Sequence, residues 1–342
     1  MIRYGILGAG FVAGLHAQAL ATLPEAQIVG IADPDLPRAE KLGQEWGCPA
    51  FSSFSELCDK AKPEAVSICV PTFLHAEAVC EAASRGIHAL CEKPLALTAE
   101  DCQRMLEAEK HSTSILSTAQ VLRWWPEYRE LHNQALSGAV GPVVSLTAAR
   151  LLHGTRKGWF ADPALGGGAL FDLMAHDVDF MLWTLGNEIR SVYATGFQNE
   201  QGAWQHVWAT FLYQDHRRAV VEAGNDLPAG YPFTTRLSLC GPEGGLEVSS
   251  AADKNIGVGV KTDSTLWRIA GGERTALLQS GGDAQAKAFR EELAAFLQGV
   301  QMGTSPLPLK EATRTIGLLN KVRESLETEM PISVSPAPRT LL

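Results

Sequence analysis

Three titratable residues stand in contexts that ordinary surface charges lack. In Cys91-Glu92-Lys93-Pro94 an apolar run ends in an acid, a base and a proline. Proline biases Lys93 toward an extended backbone, so its ammonium projects from a strand end. The competing reading is a solvated turn lysine; the motif alone favours it slightly, and the strand-end position reverses that order. The second segment is Gly166-Gly167-Gly168-Ala-Leu-Phe-Asp172-Leu-Met-Ala-His176-Asp177-Val-Asp179. Three glycines release the chain into a helical pattern. A four-residue spacing puts Asp172 and His176 on one helical face, and Asp179 joins it. A carboxylate beside an imidazole fixes its tautomer and raises its basicity. Such an imidazole can take a hydroxyl proton as a hydride leaves the same carbon. Two other readings stay open: a helix N-terminal acid with a satisfied core histidine, and a metal site of Asp172, His176 and Asp179. Asp177 points elsewhere, as a structural or solvated acid.

The elements that must position Lys93 begin at the N-terminus. An apolar run leads into Gly8-Ala-Gly10-Phe11-Val12-Ala13, and Asp33 ends a second apolar run 23 residues past Gly10. Strand, glycine turn, helix, strand and acid make the βαβ unit that holds a dinucleotide. Gly8 permits the turn, and Gly10 lets the backbone approach a pyrophosphate met by the free N–H groups of the helix start. Asp33 would accept hydrogen bonds from the ribose hydroxyls. Strand-like runs at 2–7, 27–32, 65–70, 87–91 and 114–118 alternate with helical stretches near 11–21, 36–46, 73–84 and 98–110. This alternation predicts a doubly wound parallel sheet. Ligands of such sheets lie across the carboxyl ends of the strands. Gly8–Gly10 with Phe11 and Val12, Asp33, Pro71, Thr72 and nearby His75, Glu92, Lys93 and Gln120 are therefore the candidate cofactor contacts.

Beyond Gln120 the texture changes. A helix is expected over 127–137, then strands at 143–151, 191–197, 207–213, 217–223, 236–240 and 245–248, interrupted by one helix over 169–185. Short turns between alternating runs predict a mainly antiparallel open sheet with flanking helices, an α+β domain. Two helices close the chain near 283–299 and 309–327, the first amphipathic through Phe289, Leu293, Phe296 and Leu297. The expected division is 1–121 for cofactor binding and 122–334 for substrate binding and oligomerisation, with helix 309–327 packing back on the first domain.

Length, charge and cysteine usage bound the rest. The 342 residues are 46% hydrophobic and 20% charged with a net charge of −9, a composition typical of globular proteins. No basic run suits a nucleic acid or other polyanion. No apolar stretch is long enough to cross a bilayer, and no leader is read at the N-terminus, so a cytoplasmic protein is expected. Seven cysteines include no C-x-x-C pair, and five recur every 11 residues from Cys58 to Cys102. The prolines and glycines between them exclude one continuous helix, so the period follows the strand–helix alternation. Each thiol is read as a small buried hydrophobe, with neither metal nor disulfide expected.

In this order, the glycine turn, Val70-Pro71-Thr72-Phe-Leu-His75, Glu92-Lys93-Pro94, Ser137-Gly138-Ala139-Val140-Gly141 and the 166–179 segment resemble the Gfo/Idh/MocA family, named for glucose-fructose oxidoreductase, inositol dehydrogenase and rhizopine catabolism. The resemblance covers nearly the whole chain. It implies a Rossmann domain followed by an α+β domain, and an NAD(P)-dependent oxidoreductase of sugars, polyols or their derivatives. It implies catalytic roles for Lys93, Asp172 and His176, and a homodimer or homotetramer. Met174 stands where many members have glycine, which would reshape the pocket beside the pair. The run around His176 is closest to the inositol dehydrogenase side of the family. On this reading a secondary alcohol lies between Lys93 and His176. Lys93 stabilises negative charge developing on oxygen, and Arg123, Trp159 and Asp162 help bind substrate. Trp159 as core packing and Arg123 as the partner of a surface acid remain open. Asp33 would repel a 2′-phosphate, which favours NAD over NADP. Arg38 is expected one turn inside the next helix, pairing with Asp35 or Glu40. Two other functions stay in view: an enzyme that recycles tightly bound NAD, and a non-catalytic sensing module.

Overall fold

A computed structural model describes residues 1–154, 157–252 and 263–334. The chain divides into two compact units. Unit 1 is Met1–Trp124 with Gln285–Arg314, and unit 2 is Trp125–Ala284 with Thr315–Leu342. The break falls three residues past the expected one. The segment that returns to unit 1 carries the amphipathic helix of Phe289. Of the 309–327 helix, only the residues up to Arg314 belong there.

Unit 1 alternates as expected: β1 (Ile2–Leu7), α1 (Phe11–Leu20), β2 (Ala26–Ala32), α2 (Leu36–Trp46), β3 (Ala50–Phe51), α3 (Phe54–Ala61), β4 (Ala65–Ile68), α4 (His75–Ser84), β5 (His88–Cys91), α5 (Ala99–Lys110) and β6 (Leu116–Thr118). Its six strands run in the order β3-β2-β1-β4-β5-β6, with every pairing parallel. Leu7 pairs with both Ala32 and Ile68, and Cys91 with both Ile68 and Thr118. All the carboxyl ends therefore reach one edge. The strand order reverses direction between β1 and β4, the switch point where such sheets bind ligands.

Unit 2 contains α6 (Pro126–Leu136), β7 (Ser145–His153), α7 (Gly168–Asp172), α8 (Met174–Leu185), β8 (Ile189–Gln198), β9 (Trp204–Tyr213), β10 (Arg218–Leu227), β11 (Phe233–Gly241), β12 (Gly244–Ala252), β13 (Asp263–Ala270) and β14 (Glu273–Ser280). Helices α9 (Ala284–Met302) and α10 (Leu309–Thr328) and the short β15 (Ile332–Ser333) follow. The nine-stranded sheet has the order β14-β13-β12-β11-β7-β10-β9-β8-β15. It is antiparallel except where β7 and β10 run together. Strand alternation buries one face: Val207, Ala209 and Phe211 of β9 and Ala219, Val221 and Ala223 of β10 are fully enclosed. Between α8 and β7 lies a buried ion pair, Arg150 to Asp177, at 2.8 and 3.0 Å. Asp177 is thus structural and not solvated.

The α9 side chains Phe289, Leu293, Phe296 and Leu297 join Tyr4, Ile6, Leu15, Leu20 and Ile31 in the unit 1 core, so Gln285–Arg314 completes the first unit.

Candidate active site

The glycine turn is shaped by what a side chain would strike. Gly8 has φ +100°, and a Cβ there would collide with the Cys69 carbonyl at the end of β4. Glycine is therefore required at the switch point. Gly10, the N-cap of α1, faces open space apart from Arg38 Nη2 at 3.7 Å. The first turn of α1 carries no acidic residue, so its free N–H groups present an uncontested positive end to an anion. Phe11 is 48% exposed at that end, and Val12 is half-buried behind it.

Asp33 closes the turn from the other side. Its Oδ2 accepts from the Ala9 N–H at 2.7 Å and its Oδ1 from the Asp35 N–H at 2.9 Å. Each oxygen keeps a lone pair for a ribose hydroxyl. These features fit a nicotinamide dinucleotide: a pyrophosphate at Gly10 and the start of α1, a ribose at Asp33. Arg38 differs from expectation. Its Nη2 reaches the Ala9 carbonyl at 3.4 Å, and among the described residues it forms no ion pair with Asp35 or Glu40. The guanidinium bends back over the glycine turn because α2 starts only three residues beyond Asp33.

Along the same edge, Pro71 is half-buried and Thr72 buried. His75 is enclosed, with Nδ1 2.9 Å from the Pro94 carbonyl and Nε2 2.9 Å from the Val70 carbonyl. Burial outweighs these bonds and holds its pKa below the ordinary histidine range. The ring links the β4 turn to the proline turn after β5, and its nitrogens face carbonyls and not a ligand. The Lys93–Pro94 peptide is cis. Glu92 is buried, and its Oε2 accepts the Lys93 N–H at 3.0 Å. Gln120 is buried just past β6, and its carbonyl takes the Arg123 N–H at 2.9 Å, forming a short turn that leaves Arg123 half-buried.

Unit 2 places the other candidates around the glycine run. Gly167 and Gly168 both have positive φ, +71° and +69°. A Cβ on Gly166 would strike the Trp159 carbonyl, one on Gly167 the Phe171 ring, and one on Gly168 the Trp204 carbonyl. Three glycines let this segment press between the Trp159 turn and β9. Trp159 is half-buried and stacks on Phe160 at 3.7 Å. Asp162 Oδ1 accepts from the Ala164 N–H at 2.8 Å, and its carbonyl from the N–H groups of Gly166 and Gly167 at 2.9 and 3.1 Å. Asp162 therefore anchors the entry to the glycine run.

The expected single helix over 169–185 is two helices. α7 ends at Asp172, and α8 begins at Met174, with Leu173 (φ −100°, ψ −51°) as the joint. Asp172 and His176 flank this joint, so their spacing is not that of one continuous helix. Asp172 is buried, His176 half-buried and Met174 fully enclosed. Asp179 does not simply continue their face: Thr315 Oγ1 of α10 lies 3.5 Å from its Oδ1.

One functional candidate escaped sequence reasoning. His16, on α1, is fully buried and bonded to Glu92. A lone histidine in an apolar helix reads as packing, and only its position on the glycine-turn helix hinted otherwise.

A parallel six-stranded sheet with a glycine turn at its switch point and an acid at the end of β2, followed by an α+β unit, defines a two-unit protein with a dinucleotide-binding first unit. Residues 2–120 match the oxidoreductase family with NAD-binding Rossmann fold, and 128–247 match the GFO/IDH/MocA C-terminal domain. The chain belongs to the Gfo/Idh/MocA oxidoreductase family. It is 28% identical to D-glucoside 3-dehydrogenase of Escherichia coli, over 71% of this chain and 76% of that one. It is 25% identical to myo-inositol 2-dehydrogenase of Thermotoga maritima, over 97% and 98%. A 3-ketoreductase from Actinomadura kijaniata, solved with NADP, shares the fold at TM-score 0.82 and 20% identity, covering 95% of this chain and 98% of that one. No helix among the described residues is long and apolar enough to cross a membrane.

Proposed function

We propose that this chain oxidises a secondary alcohol of a sugar, an inositol-like polyol or a sugar derivative, with NAD⁺ as hydride acceptor. The observation that carries the reading is the Gly8–Gly10 turn beside Asp33, on the same sheet edge as Glu92-Lys93-Pro94. When bound, the nicotinamide supplies the acceptor for the hydride that leaves the carbinol carbon. His176, oriented by Asp172, takes the hydroxyl proton as the carbonyl forms. Lys93 stabilises the negative charge that develops on that oxygen, where a preorganised cation contributes most. Arg123, Trp159 and Asp162 are the proposed substrate contacts. The glucoside and inositol dehydrogenases among the relatives support the substrate class.

NAD is proposed over NADP because a 2′-phosphate about 4 Å from Asp33 meets repulsion on the order of a few kcal/mol. Arg38 at the glycine turn offsets part of that repulsion, so the preference is one of degree and not exclusion.

The test is titration with NAD⁺ and NADP⁺, then absorbance of reduced nicotinamide across polyols, aldoses, glucosides and sugar acids. Turnover with NAD⁺ on one class is expected, and His176→Ala should lower kcat about 10²–10⁴-fold. Tight NAD⁺ binding with no reduced cofactor released would replace this reading with internally recycled NAD or a sensing module.

A further inference from the structure

Inside unit 1 a file of hydrogen bonds ends beside Lys93. Tyr4 Oη lies 3.0 Å from Ser67 Oγ, and Ser67 Oγ 2.8 Å from His16 Nδ1. His16 Nε2 lies 2.9 Å from Glu92 Oε1, and Glu92 Oε2 takes the Lys93 N–H at 3.0 Å. Tyr4, Ser67 and His16 are at most 1% exposed and Glu92 7%. Burial drives the Tyr4 pKa far up, so its hydroxyl remains a donor. Tyr4 then donates to Ser67, Ser67 to His16 Nδ1, and His16 Nε2–H to the carboxylate. Every proton in the file has an acceptor, and each bond points toward Glu92.

The far end is the one with consequences. A buried carboxyl ordinarily takes up a proton. Here burial does push the Glu92 pKa up, but the His16 hydrogen bond, the Lys93 charge and the Lys93 backbone N–H outweigh it and hold the pKa low. The carboxylate is gripped at both ends, Oε1 by His16 and Oε2 by the backbone of Lys93 itself. The imidazole is held in turn: the Phe289 ring meets it edge-on at 5.5 Å. His16 also rides on α1, whose first turn faces the expected pyrophosphate.

We propose that His16 is a positioning residue for Lys93: through Glu92 it fixes the turn that carries the lysine. This rests on the reading of Lys93 as a catalytic group. It adds that helix α1 braces both the cofactor turn and the lysine turn, which a packing histidine would not do.

The experiment uses the full chain and two independent readouts. The first needs neither cofactor nor substrate: acetylation of Lys93 by acetic anhydride at fixed pH, measured by peptide mass spectrometry relative to exposed Lys110. His16→Leu removes the donor, and Glu92→Gln removes the charge while keeping volume and an acceptor for His16. Each should raise relative Lys93 acetylation about threefold or more: leucine donates nothing to Glu92, and the single oxygen of glutamine cannot accept from both His16 and the Lys93 N–H, so the turn that carries the lysine is no longer held. His16→Gln, which restores an N–H donor, should stay within about twofold of wild type. Unchanged acetylation in Glu92→Gln overturns the proposal, and so does an unchanged value in folded His16→Leu. If His16→Leu does not fold, Glu92→Gln and His16→Gln carry the test, and a His16→Gln value as high as that of Glu92→Gln overturns it.

The second readout is kinetic, with NAD⁺ and the alcohol that supports turnover. His16→Leu should lower kcat about tenfold while KM and NAD⁺ affinity move less than about twofold. A merely structural role would lower the melting temperature and leave both readouts unmoved. Lys93→Met separates the two claims. Retained turnover there defeats the catalytic reading of Lys93, whereas lost turnover there with an intact kcat in His16→Leu defeats the positioning role alone.

Discussion

The buried Glu92 carboxylate makes a pH-dependent contribution to folding whose sign can be worked out. Its folded pKa lies below the ordinary value because the bond from His16 and the neighbouring positive charge outweigh burial. A depressed carboxyl pKa stabilises the native state above the unfolded value of about 4.3, and that stabilisation is lost as pH falls through the lower folded value. Melting temperatures of wild type and Glu92→Gln should therefore differ most near neutrality and converge as pH drops below about 4. A gap that stays constant down to that pH would place the effect of Glu92 in packing and not in charge. Single residues also show what local pattern could reveal. Gly8, Gly10 and Asp33 announce themselves because each type meets a backbone or ligand requirement. His16 does not, because its partner Glu92 is 76 residues away in sequence and only the parallel sheet brings them together. Helix position alone does not predict the reach of Arg38, because the tightness of the β2–α2 connection decides where its guanidinium goes.

At the scale of elements, hydrophobic period was a reliable guide wherever one face is buried. Five of the six strands of unit 1 and the first six of unit 2 are legible from runs or alternation alone; β3, two residues long, is too short to show either. The hairpin of β13 and β14 is not legible either: most of its β14 residues are exposed, so no alternation marks it. Its only signal is Gly271-Gly272, both with positive φ in the turn. The α7–α8 joint was equally hidden, since Leu173 is as good a helix former as its neighbours. The glycine run presses α7 against β9, whereas α8 packs on β7 and β10. Gly168→Ala tests this. A Cβ would meet the Trp204 carbonyl, and the +69° φ adds left-handed strain of about 1 kcal/mol. The variant should lose about 1–3 kcal/mol of stability, read as a lower denaturation midpoint. Because α7 ends at Asp172, turnover should fall with it while NAD⁺ affinity, seated in unit 1, is unchanged. Equal loss of NAD⁺ binding would show that the effect is global unfolding.

For the molecule as a whole, the open face of the unit 2 sheet bears on assembly. Register places Tyr193 and Thr195 of β8, Trp208 and Thr210 of β9, and Val220 and Glu222 of β10 side by side. Tyr193 is 43% exposed, Phe197 45%, Trp208 38% and Val220 37%, although the opposite face of the same strands is enclosed. Trp208 is not loose. Its ring stacks on His206 at 4.1 Å, and His206 is held by Asp226 at 2.8 Å and Glu222 at 3.1 Å. Gly224 leaves room for that imidazole, since a Cβ there would lie 2.7 Å from it. A large ring already fixed in place loses little entropy when a partner covers it, and clustered exposed apolar residues mark contact surfaces. A twofold arrangement would let the same patch meet its own copy. The expected sedimentation mass is therefore two or four times the 36.8 kDa chain, with Trp208→Glu shifting it toward one chain while the secondary-structure signal is kept. A wild-type mass of 36.8 kDa would remove self-association from the account. An oligomer that ignores Trp208→Glu would move its interface away from this sheet.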